Sequence, residues 1–185
     1  MLTWLQEVDT SLFLWLNGLH HPTMDIVMEW ITYKQHWYLF YAILLAWLIW
    51  KEKKQAIWPI VVIILSIIAA DQICSSLLKP LVARPRPCYE PTIQAFVHLT
   101  GGCGGTYGFA SSHAANSFAL IVVLYFFFQK TNKIVKYLFI WAIIVSYSRI
   151  YVGVHYPFDV LAGAGIGTLA ASLFYNLSQK LKLNL

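Results

Sequence analysis

The chain has 185 residues, of which 59% are hydrophobic, 16% aromatic and 11% charged, and its mean hydropathy is +0.62. A water-soluble domain of this length cannot bury that much apolar surface, which excludes an ordinary soluble enzyme. The net charge of +5 comes from 13 Lys and Arg against 8 Asp and Glu, and no basic stripe or groove-reading motif accompanies it, so nucleic acid is not an expected partner.

In chain order, the start MLTWLQEVDTSLF carries Glu7 and Asp9 and lacks a basic stretch, so no cleavable signal peptide is expected. The stretch 8–33 mixes LFLWLNG and IVMEWI with His20, His21, Pro22, Asp25 and Glu29, and reads either as one broken span or as two interfacial amphipathic pieces. Apolar runs at 35–50, 56–78, 112–129, 135–150 and 157–177 are each close to the length that crosses a bilayer as a helix. The expected fold is therefore all-α, a membrane bundle of five to six transmembrane helices forming one domain over 1–185.

Charge placement orients this bundle. Lys51, Lys53 and Lys54, then Lys130, Lys133 and Lys136, then Lys180 and Lys182 fall on one side if the spans alternate, and the positive-inside rule makes that side cytoplasmic. Lys34, Lys79 and all three arginines, Arg84, Arg86 and Arg149, fall on the other side. Lysine marks orientation here, whereas guanidinium forks suit a phosphate or carboxylate, so an outward-facing anion site is expected.

Three outward segments carry the candidate chemistry. In Lys79-Pro-Leu-Val-Ala-Arg84-Pro-Arg86-Pro87, three prolines are expected to end the 56–78 helix and hold Lys79 and Arg86 on a stiff turn. Gly108-Phe-Ala-Ser111-Ser112-His113 opens the next helix, with Ser111 as N-cap and first-turn N–H groups ready for an oxyanion. In Arg149-Ile-Tyr-Val-Gly-Val-His155-Tyr-Pro-Phe-Asp159, the Asp159 carboxylate can take the Nδ1–H of His155 and leave Nε2 as a nucleophile. Six histidines and three cysteines form no HExxH or CxxC pattern, and neither a metal nor another cofactor is expected.

Smaller features complete the reading. Gly163 and Gly167, among alanines, suit close helix packing. Asp71, inside a membrane helix, suggests an ion pair with an outward basic residue. Arg84 reads equally as a headgroup contact or a plain interfacial charge, and Cys88 and Cys103 equally as a disulfide or as two thiols.

Together the three segments resemble the phosphatidic acid phosphatase type 2 superfamily, the lipid phosphate phosphatases. Lys79 with Arg86-Pro87 matches the family's Lys, six residues, Arg-Pro; Ser148-Arg149, His155 and Asp159 match its Ser-Arg, five residues, His, three residues, Asp. Ala110-Ser111-Ser112-His113 keeps the Ser and His of Pro-Ser-Gly-His and replaces the Pro and Gly. The resemblance implies that His155 attacks phosphorus, Asp159 orients it, and His113 protonates the leaving oxygen. It also implies that Lys79, Arg86, Arg149, Ser111 and first-turn N–H groups, Ser112 among them, hold the phosphoryl oxygens. The expected activity is hydrolysis of a lipid phosphate or diphosphate at the periplasmic face of a bacterial inner membrane, with a cell-envelope lipid as substrate. The competing reading is a non-enzymatic anion or lipid transporter. It predicts midplane polar residues and inverted repeats, neither of which this sequence carries.

Overall fold

The structure is a computed structural model that describes residues 2–183, with side chains for residues 4–181, so the Lys182 side chain lies outside the described residues. The N-terminal stretch forms two helices, α1 (Leu2–Asn17) and α2 (Pro22–Thr32). At 1.5 Å per residue they are roughly 24 and 17 Å long, short of the ~30 Å hydrocarbon core. Pro22 starts α2 because its missing N–H is an orphan of the first turn anyway, and His21 Nδ1 accepts the Thr23 N–H at 3.3 Å.

Five further helices follow the apolar runs: α3 (Tyr38–Glu52), α4 (Ile57–Gln72), α6 (Ser112–Phe128), α7 (Leu138–Tyr151) and α8 (Pro157–Leu183), with a single turn, α5 (Lys79–Val82), before α6. The helical stretch Lys34–Val82 has 49 residues, more than twice a bilayer crossing, so it must reverse. It does so at Lys53, where φ is +50°, through the 3₁₀ turn Lys53–Ala56. Lys51 secures the C-terminal end of α3, donating to Thr131 Oγ1 at 3.2 Å and lying over the rings of Trp47 and Phe128.

Proline does not end the second span where the sequence suggests. Between α4 and α5 the segment Ile73–Leu78 is π-helical, and the helix continues through Lys79 and Pro80 to Val82. Pro80 lacks an N–H and its ring crowds the carbonyl one turn back, and a widened turn relieves both problems. The helix stops at Ala83, which is left-handed (φ +48°) and whose N–H closes on the Lys79 carbonyl at 3.0 Å. Lys79 is therefore carried on the helix and not on an exit turn.

The central shaft is α6, with Ala114, Ala115, Ala119, Ile121, Val123 and Leu124 buried. Helix α8 approaches it at its glycines: a Cβ at Gly163 would lie 2.3 Å from the Ser111 carbonyl oxygen, and one at Gly167 2.1 Å from that of Ala115. Only a residue without a side chain permits this approach. Large apolar side chains point outward instead, among them Leu39, Ile43, Trp50, Ile68, Leu161, Leu169 and Leu173. That inversion suits lipid as the surrounding solvent.

Candidate active site

Burial and hydrogen bonding converge where the C-terminal ends of α5 and α7 meet the N-terminal ends of α6 and α8. Tyr156 is the last residue before α8, and Asp159 reaches back so that its Oδ2 accepts the Tyr156 N–H at 3.0 Å, one half of a capping box. The same oxygen lies 3.4 Å from His155 Nδ1. Arg86 Nη1 stands 3.4 Å from His155 Nε2 and donates to the Val154 carbonyl at 3.2 Å. One tautomer satisfies both ring contacts: Nδ1 carries the proton toward Asp159, and Nε2 presents its lone pair to the cationic side. His155 is 2% exposed and Asp159 fully buried, so water does not compete for these contacts.

The cations arrive from separate elements. Arg86 leaves the end of α5 on a strand-like segment: Pro85 bridges Tyr107, the Arg86 N–H donates to Thr106 O at 3.0 Å, and the Gly108 N–H to Arg84 O at 2.9 Å. Lys79 Nζ donates to Ser112 Oγ at 2.9 Å, so the Ser that replaces the family's Gly is a side-chain partner for the lysine. Arg149, on the last turn of α7, donates to Thr32 Oγ1 at the end of α2, and its Nε is buried without a partner. His113 sits in the first turn of α6. Ser111 occupies the N-cap position but its hydroxyl makes no cap bond; it is buried and unpartnered, while its N–H donates to the Asp159 carbonyl at 2.9 Å. The expected side-chain cap is thus absent: the backbone at Ser111 is held by α8, and its hydroxyl caps nothing.

His155 holds its proton less readily than an ordinary histidine, first because of burial and then because Arg149, Arg86 and Lys79 all repel its charged form. Burial likewise lowers the Arg86 pKa, with Asp159 opposing that shift. At neutral pH the imidazole is an uncharged base with an unprotonated Nε2, set among guanidinium and ammonium groups. A phosphoryl group placed there would meet a nucleophile and its charge-stabilising donors together.

Two cavities flank His113. An apolar one of about 450 Å³ runs between α3, α4 and α6, lined by Tyr41, Leu44, Leu48, Ile60, Ile63 and Ile67. A smaller, more polar one of about 270 Å³ is lined by Gln35, Thr100, Gly102 and Arg149. Thr32, Lys34 and His113 border both.

The sequence profile of the PAP2 superfamily matches residues 60–183. The chain belongs to the PAP2 superfamily. It is 41% identical to the lipid A 4′-phosphatase of Bacteroides thetaiotaomicron, covering all of this chain and 83% of that protein. The lipid A 4′-phosphatase of Porphyromonas gingivalis is 34% identical, over 95% of this chain and 75% of its own length. Among solved structures, LpxE of Aquifex aeolicus superposes with a TM-score of 0.74 at 28% identity, covering 91% of this chain and 95% of that one.

Several residues of this PAP2 chain differ from expectation. Arg84 is neither a headgroup contact nor a plain interfacial charge: it pairs with Asp9 at 2.7 Å and Asp159 at 3.1 Å and lies 3.7 Å over the Tyr156 ring. Asp71 makes no ion pair with a described residue; Asn116 Nδ2 donates to it at 3.1 Å, and Ser75 Oγ donates to its backbone carbonyl at 2.6 Å. A neutral amide answers this half-buried carboxylate at less desolvation than a second charge would need. Cys88 and Cys103 are joined as a disulfide, which ties the residue next to Pro87 to the glycine-rich loop. Sequence reasoning missed Asp9, whose partners come from α8 and from the segment after α5, and assigned no role to Gly108. A Cβ at Gly108 would lie 3.0 Å from Asp159 Oδ2 and 3.6 Å from His155 Nδ1, so a side chain there would press on the His–Asp pair.

Proposed function

We propose that this site removes the 4′-phosphate of lipid A, acting from the periplasmic face of the inner membrane. The chain is a membrane lipid phosphatase of the PAP2 superfamily, and its similarity to two lipid A 4′-phosphatases, over nearly all of its own residues, favours that substrate over other envelope lipid phosphates. The observation that carries the reading is the placement of His113, which with Thr32 and Lys34 lines both the apolar cavity and the smaller one beside Arg149. An amphiphile whose scissile oxygen lies at His113 would put its sugar in one and hydrocarbon in the other.

In this mechanism His155 Nε2 attacks phosphorus, forming a P–N bond as the P–O bond to the sugar breaks. His113 gives its proton to the departing oxygen, and Asp159 stabilises the cationic ring. Water then attacks the phosphohistidine, with His113 as base, releasing phosphate and restoring neutral His155. Lys79, Arg86, Arg149, Ser111 and first-turn N–H groups such as that of Ser112 hold the three phosphoryl oxygens while charge moves.

The test uses right-side-out and inverted membrane vesicles carrying the protein, each given bisphosphorylated lipid A externally with a chelator present, and mass spectrometry of the lipid. Loss of the 4′-phosphate with right-side-out vesicles alone is the expected result. Loss of only the 1-phosphate, a reaction confined to inverted vesicles, or abolition by the chelator would each refute a part of the reading.

A further inference from the structure

We propose that Asp9, acting through Arg84, is a positioning residue for the His155–Asp159 pair, so that helix α1 completes the active site from outside the signature segments. The inference rests on reading His155 as the nucleophile. Asp9 is fully buried, and each of its oxygens has one partner: Oδ1 accepts the Phe158 N–H at 2.9 Å, and Oδ2 accepts Arg84 Nη1 at 2.7 Å. Phe158 is in the first turn of α8, where N–H groups have no intrahelical acceptor, so α1 supplies an acceptor that the helix itself cannot. Arg84 Nη1 gives its other hydrogen to Asp159 Oδ1 at 3.1 Å.

This arrangement divides the work of the Asp159 carboxylate. Arg84 takes Oδ1 and leaves Oδ2 for the Tyr156 N–H and His155 Nδ1, so rotation of the carboxylate away from the ring would break the Arg84 contact. Arg84 itself needs an anchor, because Lys79, Arg86 and Arg149 supply three more cations at this end of the bundle. Without one, a guanidinium two residues from Arg86 would be free to turn toward a bound phosphate. Asp9 and the Tyr156 ring face, 3.7 Å away, hold it in place. None of the contacts of Asp9 is to a group that would touch substrate, which makes its role indirect.

The comparison is steady-state hydrolysis of lipid A by detergent-purified wild type, Asp9→Asn, Arg84→Gln and the double variant, with competitive inhibition by inorganic phosphate measured for each. Asp9→Asn should lower kcat on the order of 10²-fold, the scale of a small misplacement of a reacting group, with KM and phosphate inhibition nearly unchanged. Added to Arg84→Gln it should lower kcat by less than about twofold, since both act through one path. Asp9→Glu, which keeps the charge, should recover at least about a tenth of the wild-type kcat. Unchanged kcat in Asp9→Asn, a loss expressed only in KM, or losses that multiply in the double variant would overturn the proposal. If Asp9→Asn does not fold, Arg84→Gln is read alone, and a kcat equal to wild type or a loss expressed only in KM in that variant overturns the proposal. An inactive wild-type protein would instead overturn the phosphatase reading, and this inference with it.

Discussion

Three cations press on the His155 ring from three elements, and with burial they fix how the residue answers to pH. In the unfolded chain the ring takes a proton near the ordinary value of about 6.5, while in the folded protein it does so only at lower pH. The unfolded state therefore binds more protons below that value. The stabilisation linked to His155 is complete above the unfolded value and is lost as pH falls through the folded one. Thermal stability is expected to drop between pH 7 and 5 by more in wild type than in His155→Gln. The acid limb of kcat/KM should lie below 6.5, and a limb centred at or above 6.5 would contradict a neutral, cation-flanked nucleophile. At this scale the sequence was legible where chemistry and spacing coincide, as in Lys79, Arg86, Arg149, His155 and Asp159. Asp9 was not legible, because nothing local to QEVDTS distinguishes a carboxylate that is matched only by distant segments. Arg84 drew attention by its charge, but its partner lies in a helix the motif does not include.

Among the elements, the helices that cross the membrane could be placed from apolar runs because each run had to satisfy its backbone internally over a bilayer's thickness. The π-helical turn Ile73–Leu78 could not, since it arises from the conflict of Pro80 with the preceding turn and changes no hydropathy. Small residues in α8 announced close packing but not its target. Gly163 lies against the Ser111 carbonyl, at the start of the helix that carries His113, whereas Gly167 lies one turn further from the site against Ala115. Gly163→Ala and Gly167→Ala should both destabilise by about 1–3 kcal/mol through overpacking, seen in thermal unfolding. Only Gly163→Ala should also lower kcat, on the order of tenfold or more, by displacing the Ser111 backbone from the Asp159 carbonyl. Equal kcat values for the two variants would show that the α6–α8 contact does not set the site's geometry.

For the whole molecule, the arrangement reads as a division between two ends. Lysines such as Lys51, Lys54, Lys130 and Lys136 mark one end. The other gathers the three arginines, the His–Asp pair, the disulfide and the residues common to both cavities, Thr32, Lys34 and His113. Helices α1 and α2 belong to this second end, since Asn17 closes on the Ile150 and Tyr151 carbonyls at the end of α7 and Thr32 meets Arg149. Their mixed polarity, which made 8–33 ambiguous as a span, follows from that position: their polar residues answer the unsatisfied ends of other helices. Turnover by this mechanism requires phosphorus to be bonded to His155 in one of its steps. Rapid quenching of the protein with lipid A carrying ³²P at the 4′ position should trap label on the protein that is stable to alkali, labile to acid and absent from His155→Ala. Phosphate release by His155→Ala at the wild-type rate, or turnover by wild type without any labelled protein, would contradict it.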